Sequence, residues 1–204
     1  CNTASSKALR SIQQIDLPRI APDRRVLGVI RPSVEKVAEI TKTGHVGILG
    51  TPGTVNSGSY PLELKKWAGQ NFKSAVQEAC PLWVPLVENN EIDSEGAEFF
   101  VRKNIQNILK KDKKLDTLIL ACTHYPLLIR LIKKYVPESI NIVEQGAIVG
   151  EKLTDYLDRH PETDHRLSKK SQIRFQTTES AESFNERASF FIGKKISAEQ
   201  ITLG

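Results

Sequence analysis

Leu115-Asp116-Thr117-Leu118-Ile119-Leu120-Ala121-Cys122-Thr123-His124-Tyr125-Pro126-Leu127-Leu128 decides the fold class. Leu115 to Ala121 is a nearly continuous apolar run, the pattern of a strand covered on both faces. Cys122-Thr123-His124 leaves that strand, and Pro126 opens a helix through Leu127, Leu128, Leu131 and Ile132.

The same alternation repeats on either side. Val26-Leu27-Gly28-Val29-Ile30 is a compact β-type run ended by Arg31-Pro32. Ser33 then caps a helix through Val34, Val37, Ala38 and Ile40. Val46 to Gly50 is a second buried strand, closed by Thr51-Pro52-Gly53-Thr54, and Tyr60 to Ala68 a helix. Ser74 to Cys80 is a weaker strand. A helical pattern runs from Ser94 through Phe99, Phe100, Ile105, Ile108 and Leu109. Asn141-Ile142-Val143 is a strand before Gly146, and a helix follows to Leu157. His160 to Ser171 reads as a surface loop, Ile173 to Thr177 as the last strand and Ala181 to Phe191 as the last helix. Apolar strands alternating with helices give an α/β class with parallel strands. In such sheets ligands bind outside the carboxyl ends of the strands.

The 204 residues, 39% of them hydrophobic and 26% charged, fit a globular chain with a real core. No run approaches the roughly 18 apolar residues of a membrane helix. Residues 1 to 7 lack the apolar core of a secretion signal. The net charge is +5, with cations gathered at Arg19, Arg24, Arg25 and Arg31, at Lys110, Lys111, Lys113 and Lys114, at Lys133-Lys134 and at Lys169-Lys170. Aromatics are 6% of residues and do not interleave with these runs, so solvated helix ends suit them better than a nucleic-acid surface.

Cys1, Cys80 and Cys122 are an odd set in a chain that needs no disulfide, which points to reduced thiols and a cytoplasmic setting. Cys1 stands just before a helical stretch, and Cys122 at a strand-to-helix junction. A thiol at a helix start ionises more readily. Cys122 is either such a reactive group or a small buried hydrophobe, whereas Cys80, before Pro81, suits a packing role. His124 could shuttle a proton for Cys122. Thr51 to Gly58 is either a cradle for a carboxylate or a plain turn. Glu88, delivered by Pro81-Leu82-Trp83-Val84-Pro85-Leu86-Val87, is either a surface residue or one aimed into a cleft. Cys122 and His124 alone do not make a metal site.

Cys1-Asn2-Thr3-Ala4, Gly50-Thr51-Pro52-Gly53-Thr54, Ala79-Cys80-Pro81-Leu82-Trp83-Val84-Pro85-Leu86-Val87-Glu88 and Cys122-Thr123-His124-Tyr125-Pro126-Leu127-Leu128 together resemble the glutamate racemases, in that family's order. The resemblance implies two pseudo-symmetric, doubly wound α/β domains with the active site in the cleft between them. It implies racemisation without a cofactor or metal, in which one Cys removes the α-proton of glutamate and the other donates one to the opposite face. By that mapping Cys1 acts on D-glutamate and Cys122 on L-glutamate. His124 and Glu88 join the catalytic set, and Asn2, Thr3, Thr51, Thr54 and Thr123 hold the substrate. Residues 1–25 with 140–204 would form the first domain and 26–139 the second. A homodimer supplying D-glutamate for peptidoglycan is the expected assembly and role.

The family's Asp-Ser-Gly and Pro-Tyr-Gly segments do not precede Cys1, and its late Ser-Gly motif reads Glu144-Gln145-Gly146. The sequence therefore reads as an N-terminally incomplete member. The alternatives are a relative acting on aspartate or hydantoins, which the Ala-Cys-Pro and Cys-Thr-His-Tyr-Pro segments oppose, and a catalytically incomplete binding protein such as a DNA gyrase inhibitor.

Overall fold

The computed structural model describes residues 1–67, 69–169 and 171–203. Ala68, the expected end of one helix, and Lys170, half of one basic pair, lie outside the described residues. The chain forms two compact units, Cys1–Asp155 and Tyr156–Gly204.

The first unit is built on a parallel sheet of four strands: β1 (His45–Gly50), β2 (Ser74–Ala79), β3 (Thr117–Ala121) and β4 (Asn141–Val143), in the order β2-β1-β3-β4. β1 and β3 are the central pair and are almost wholly buried, as their uninterrupted apolar sequence requires. Alternate residues serve opposite faces. Val46, Ile48, Ile119 and Ala121 pack with Val34 and Val37 of the helix Ile30–Ile40 and with Tyr60 and Leu64 of the helix Ser59–Trp67. On the helix Glu95–Lys111, Val101, Ile105 and Ile108 form a fully buried stripe at helical spacing. Gly47 lets this helix approach the sheet: a Cβ there would overlap the Leu118 side chain and stand 3.0 Å from Ile108 Cδ1.

Several sequence expectations are corrected. Val26 to Ile30 is not a strand. Gly28 packs so closely on Leu9 that a Cβ would overlap its side chain, and Ile30 already begins the helix. Ser33 is therefore not its cap but lies inside it, donating from Oγ to Val29 O at 2.9 Å. Pro32 fits because the first turn leaves its N–H unused. Pro126 sits in a 3-10 turn, Tyr125–Leu128, before the α-helix Ile129–Tyr135. Pro81 to Glu91 holds a helix, Trp83–Glu88, that the two prolines concealed.

In the second unit β5 (Phe175–Thr177) and β6 (Ala198–Gln200) pair in parallel across the helix Ala181–Ile192, a β–α–β crossover. Ser180 caps that helix, and Gly193 ends it at φ +70°. Ile173 to Thr177 is thus not the last strand. β6, Ala198-Glu199-Gln200, has no apolar run to announce it and is held by its pairing and by Ala198 N–H donating to Asn185 Oδ1 at 2.7 Å. The expected loop His160 to Ser171 contains a short helix, Pro161–Asp164, closed by His165 N–H on Pro161 O.

Candidate active site

The register pairs Gly50 with both Ala79 and Ala121. Cys80, Thr51 and Cys122 therefore each stand one residue past their strands, abreast at the carboxyl edge, where parallel sheets place ligands.

The position of Glu88 is built from the core outward. Asn104 is the one polar residue among Val101, Ile105 and Ile108. It donates to Glu78 Oε1 at 2.9 Å and accepts from Trp83 Nε1 at 3.0 Å. The Trp83 ring also meets Tyr125 edge-on, with centroids 4.7 Å apart, and Tyr125 donates to Cys80 O at 3.2 Å. Trp83 thus ties the start of its helix to the turn carrying His124, and Glu88 at the helix end comes to 3.1 Å from His124 Nε2. A carboxylate only accepts, so Nε2 donates to it, and in the neutral ring this tautomer leaves the Nδ1 lone pair to accept. That lone pair is 3.8 Å from Cys122 Sγ and 3.5 Å from Thr123 Oγ1. Glu88 is a surface residue, its side chain 41% exposed, that nonetheless reaches His124.

Cys122 is 8% exposed, and burial pushes its thiol above the usual range. The N–H groups of His124 and Tyr125 at the start of the 3-10 turn pull it back without cancelling that effect, and the charge of Glu88 adds to the rise. Cys80 is 1% exposed and its thiol is pushed well up by burial, in keeping with a packing role. Glu78 is also pushed up by burial, but hydrogen bonds from Lys111, Asn107 and Asn104 outweigh that and hold it below the usual carboxylate range.

Cys1 is exposed and occupies the N-cap of the helix Asn2–Lys7. Two successive residues fasten this helix. Thr3 Oγ1 lies 2.9 Å from Thr51 Oγ1 and 3.3 Å from Thr54 Oγ1, and Thr51 donates to Thr54 at 3.1 Å, a triangle of hydroxyls above the end of β1. The Thr51 hydroxyl also caps the helix Pro52–Ser57, so this segment is an ordinary capped turn that still gathers three hydroxyls beside Cys1. Asn2 points the other way. It is 2% exposed, donates to Gln145 Oε1 at 2.5 Å and accepts from Tyr60 Oη at 2.6 Å.

Sequence reasoning did not find Tyr60, Gln145, Asn104 or Trp83. The usable signal was a polar residue in an apolar stripe, which Asn104 shows and which implies a buried partner. Among the gathered cations, Lys111 pairs with Glu78 at 2.7 Å, Lys134 with Glu98 at 2.5 Å and Arg31 with Glu35 at 2.8 Å. Among the described residues no group of three or more His, Cys, Asp or Glu converges to hold a metal, and no helix is long and apolar enough to cross a membrane.

No family model matches the chain. A glutamate racemase from Persephonella marina is 36% identical over 204 residues, spanning all of this chain and 71% of that protein. One from Enterococcus faecalis is 36% identical over 211 aligned residues, again spanning all of this chain and 71% of the relative. The crystal structure of a glutamate racemase isoform from Bacillus anthracis superposes with a TM-score of 0.85 at 32% identity, covering 100% of this chain and 72% of that one. The glutamate racemase of Thermus thermophilus, solved in complex with β-chloro-D-alanine, gives 0.74 at 29% identity, covering 100% and 70%. With its whole length aligned to these proteins and its parallel sheet superposed on theirs, the chain belongs to the glutamate racemase family of amino-acid racemases.

Proposed function

We propose that the chain interconverts L- and D-glutamate by a two-thiol exchange of the α-proton, without a cofactor. The observation that carries this reading is the line Cys122–His124–Glu88 at the carboxyl edge, on the same edge as the helix that Cys1 caps. A resting thiol at Cys122 passes its proton to His124 Nδ1, and Glu88 stabilises the imidazolium through Nε2. The Cys122 thiolate then takes the α-proton of L-glutamate. The electron pair left on Cα is delocalised into the carboxylate and is quenched on the opposite face by the Cys1 thiol, which becomes the thiolate. The reverse direction starts from the Cys1 thiolate and D-glutamate.

The carboxylate gains charge as the proton leaves, so fixed donors aimed at it lower the barrier. Thr3, Thr51, Thr54 and Thr123 supply hydroxyls for this. Asn2, which the resemblance places in the same set, is buried with its amide bound to Gln145 and Tyr60, so its side chain supports the helix that Cys1 caps rather than donating to the carboxylate. The Thermus relative, seen with β-chloro-D-alanine, supports a small D-amino acid as the class of ligand. The division into residues 1–25 with 140–204 and 26–139, a homodimeric assembly, and a place in bacterial cytoplasmic peptidoglycan precursor synthesis go with this reading.

Polarimetry of L-glutamate and of D-glutamate with this chain tests it, with L-aspartate as the control. The expected result is convergence of both glutamate enantiomers to the racemate, with aspartate untouched. Optical rotation that stays constant for both, with a folded chain, would overturn it.

A further inference from the structure

Behind Cys1 lies a closed ring of buried hydrogen bonds. Asn2 Nδ2 donates to Gln145 Oε1 at 2.5 Å, Gln145 Nε2 donates to Tyr60 Oη at 2.7 Å, and Tyr60 Oη donates to Asn2 Oδ1 at 2.6 Å. A further Gln145 Nε2 hydrogen goes to Ser33 Oγ at 2.6 Å, and Ser33 in turn donates to Val29 O at 2.9 Å. Each amide uses both its oxygen and its nitrogen in these bonds, which fixes the orientation of both. Tyr60 is fully buried, and burial pushes its phenol far above the usual range, more than the hydrogen bonds from Gln145 and Ser33 pull it down. It therefore stays neutral and keeps its proton for Asn2.

Gln145 stands at the start of the helix Gln145–Arg159, directly after β4. Its side chain joins segments that are otherwise far apart in sequence: Asn2, Ser33 and Tyr60 lie 143, 112 and 85 residues away. Of these, Asn2 is the chain neighbour of Cys1, while Tyr60, which lies within electrostatic reach of Cys122, spends its hydroxyl proton on Asn2. The Thr3 hydroxyl meets Thr51 and Thr54 on another side of the same short helix, so Cys1 is carried on a segment held at two successive residues.

We propose that Gln145, acting with Tyr60 through Asn2, is a positioning residue for the Cys1 thiol and has no such role for Cys122. The proposal deepens the racemase reading and rests on it. The two thiols are then held by separate devices, the ring for Cys1 and the His124–Glu88 pair for Cys122. A disturbance of the ring falls on one half of a two-sided reaction. A loss of position of this kind costs about tenfold to a hundredfold in a proton transfer.

The test uses Tyr60→Phe, which removes one oxygen and little packing, and Gln145→Ser, whose shorter side chain cannot span the ring. Iodoacetamide alkylation is followed separately at Cys1 and Cys122 by mass spectrometry across a pH series. Cα proton exchange in deuterated water is followed for D-glutamate in the Cys122→Ala background and for L-glutamate in the Cys1→Ala background. The expected result is a changed rate and pH midpoint for Cys1 alkylation, unchanged alkylation of Cys122, and a loss of about tenfold or more in D-glutamate exchange alone. Equal loss at both thiols and for both enantiomers, or no change at Cys1 in Tyr60→Phe, would overturn it. If the unsubstituted chain exchanges neither enantiomer, the racemase reading fails by itself, and the alkylation contrast still decides whether the ring controls Cys1.

Discussion

Glu88→Gln separates a working relay from a chance surface contact. The substitution keeps size and hydrogen-bonding capacity but removes the charge 3.1 Å from His124 Nε2. At that distance a carboxylate and an imidazolium attract by about 1.3 kcal/mol at water's permittivity and about 2.7 kcal/mol at half of it. Side-chain exposures of 41% for Glu88 and 23% for His124 place the pair between these limits. The same carboxylate repels a thiolate at Cys122 from across the imidazole ring, a separation on the order of 8 Å from the two contacts that flank the ring, which offsets about 0.5 to 1 kcal/mol. The net is about 0.8 to 1.6 kcal/mol in favour of proton transfer from Cys122 to His124, so Glu88→Gln slows it by about four- to fifteenfold. Site-resolved alkylation of Cys122 below its thiol range reads this directly, and L-glutamate exchange in the Cys1→Ala background reads it in the reaction. Cys1 alkylation stays as it was. A Cys122 rate that rises, or that holds within about twofold, would show that repulsion balances attraction and that Glu88 is no part of a relay.

Asp116 provides a pH signature of stability. Burial pushes its carboxyl up, but hydrogen bonds from the Thr41 hydroxyl, the N–H groups of Thr43 and Lys42, and the Thr117 hydroxyl win and hold it at about 2. A depressed folded value means stability present above about pH 4 and lost as pH falls towards 2. Asp116→Asn therefore costs about 1 to 2 kcal/mol at pH 7 in urea unfolding, and the difference from the parent closes in that acid window. Gly47→Ala forces a methyl against Leu118 and Ile108 and costs about 1 to 3 kcal/mol in the same assay, without touching the carboxyl edge. Cys80→Ala leaves racemisation unchanged, and in the native parent Cys80 resists alkylation at a pH where Cys1 reacts; a native chain modified first at Cys80 would refute its burial.

What the sequence disclosed follows from how each element is held. β1 and β3 were legible because they are buried on both faces and had to be apolar throughout. β6 was not, because Ala198-Glu199-Gln200 is held by backbone pairing and by Asn185 rather than by a core. Val26 to Ile30 has the composition of a strand but pairs with no strand among the described residues, and Gly28 receives the Leu9 side chain instead. The helix Trp83–Glu88 was hidden because Pro81 and Pro85 read as breaks, while Trp83 finds its partners 21 and 42 residues further on, at Asn104 and Tyr125. Cys1 and Cys122 were assigned through the family resemblance, since local pattern alone left Cys122 open between a reactive thiol and a small buried hydrophobe. Their supports were not legible, because the Asn2–Tyr60–Gln145 ring draws one residue from each of three distant segments, and no local pattern records a ring of that kind.

The central claim is that two thiols work from opposite faces of one substrate. Its most direct test is Cα proton exchange of each glutamate enantiomer in deuterated water with the unsubstituted chain, Cys1→Ala and Cys122→Ala. The account predicts exchange of both enantiomers by the unsubstituted chain, of L-glutamate alone by Cys1→Ala and of D-glutamate alone by Cys122→Ala, with racemisation lost in both variants. Exchange of both enantiomers by either single variant, or of neither by the folded unsubstituted chain, would contradict it.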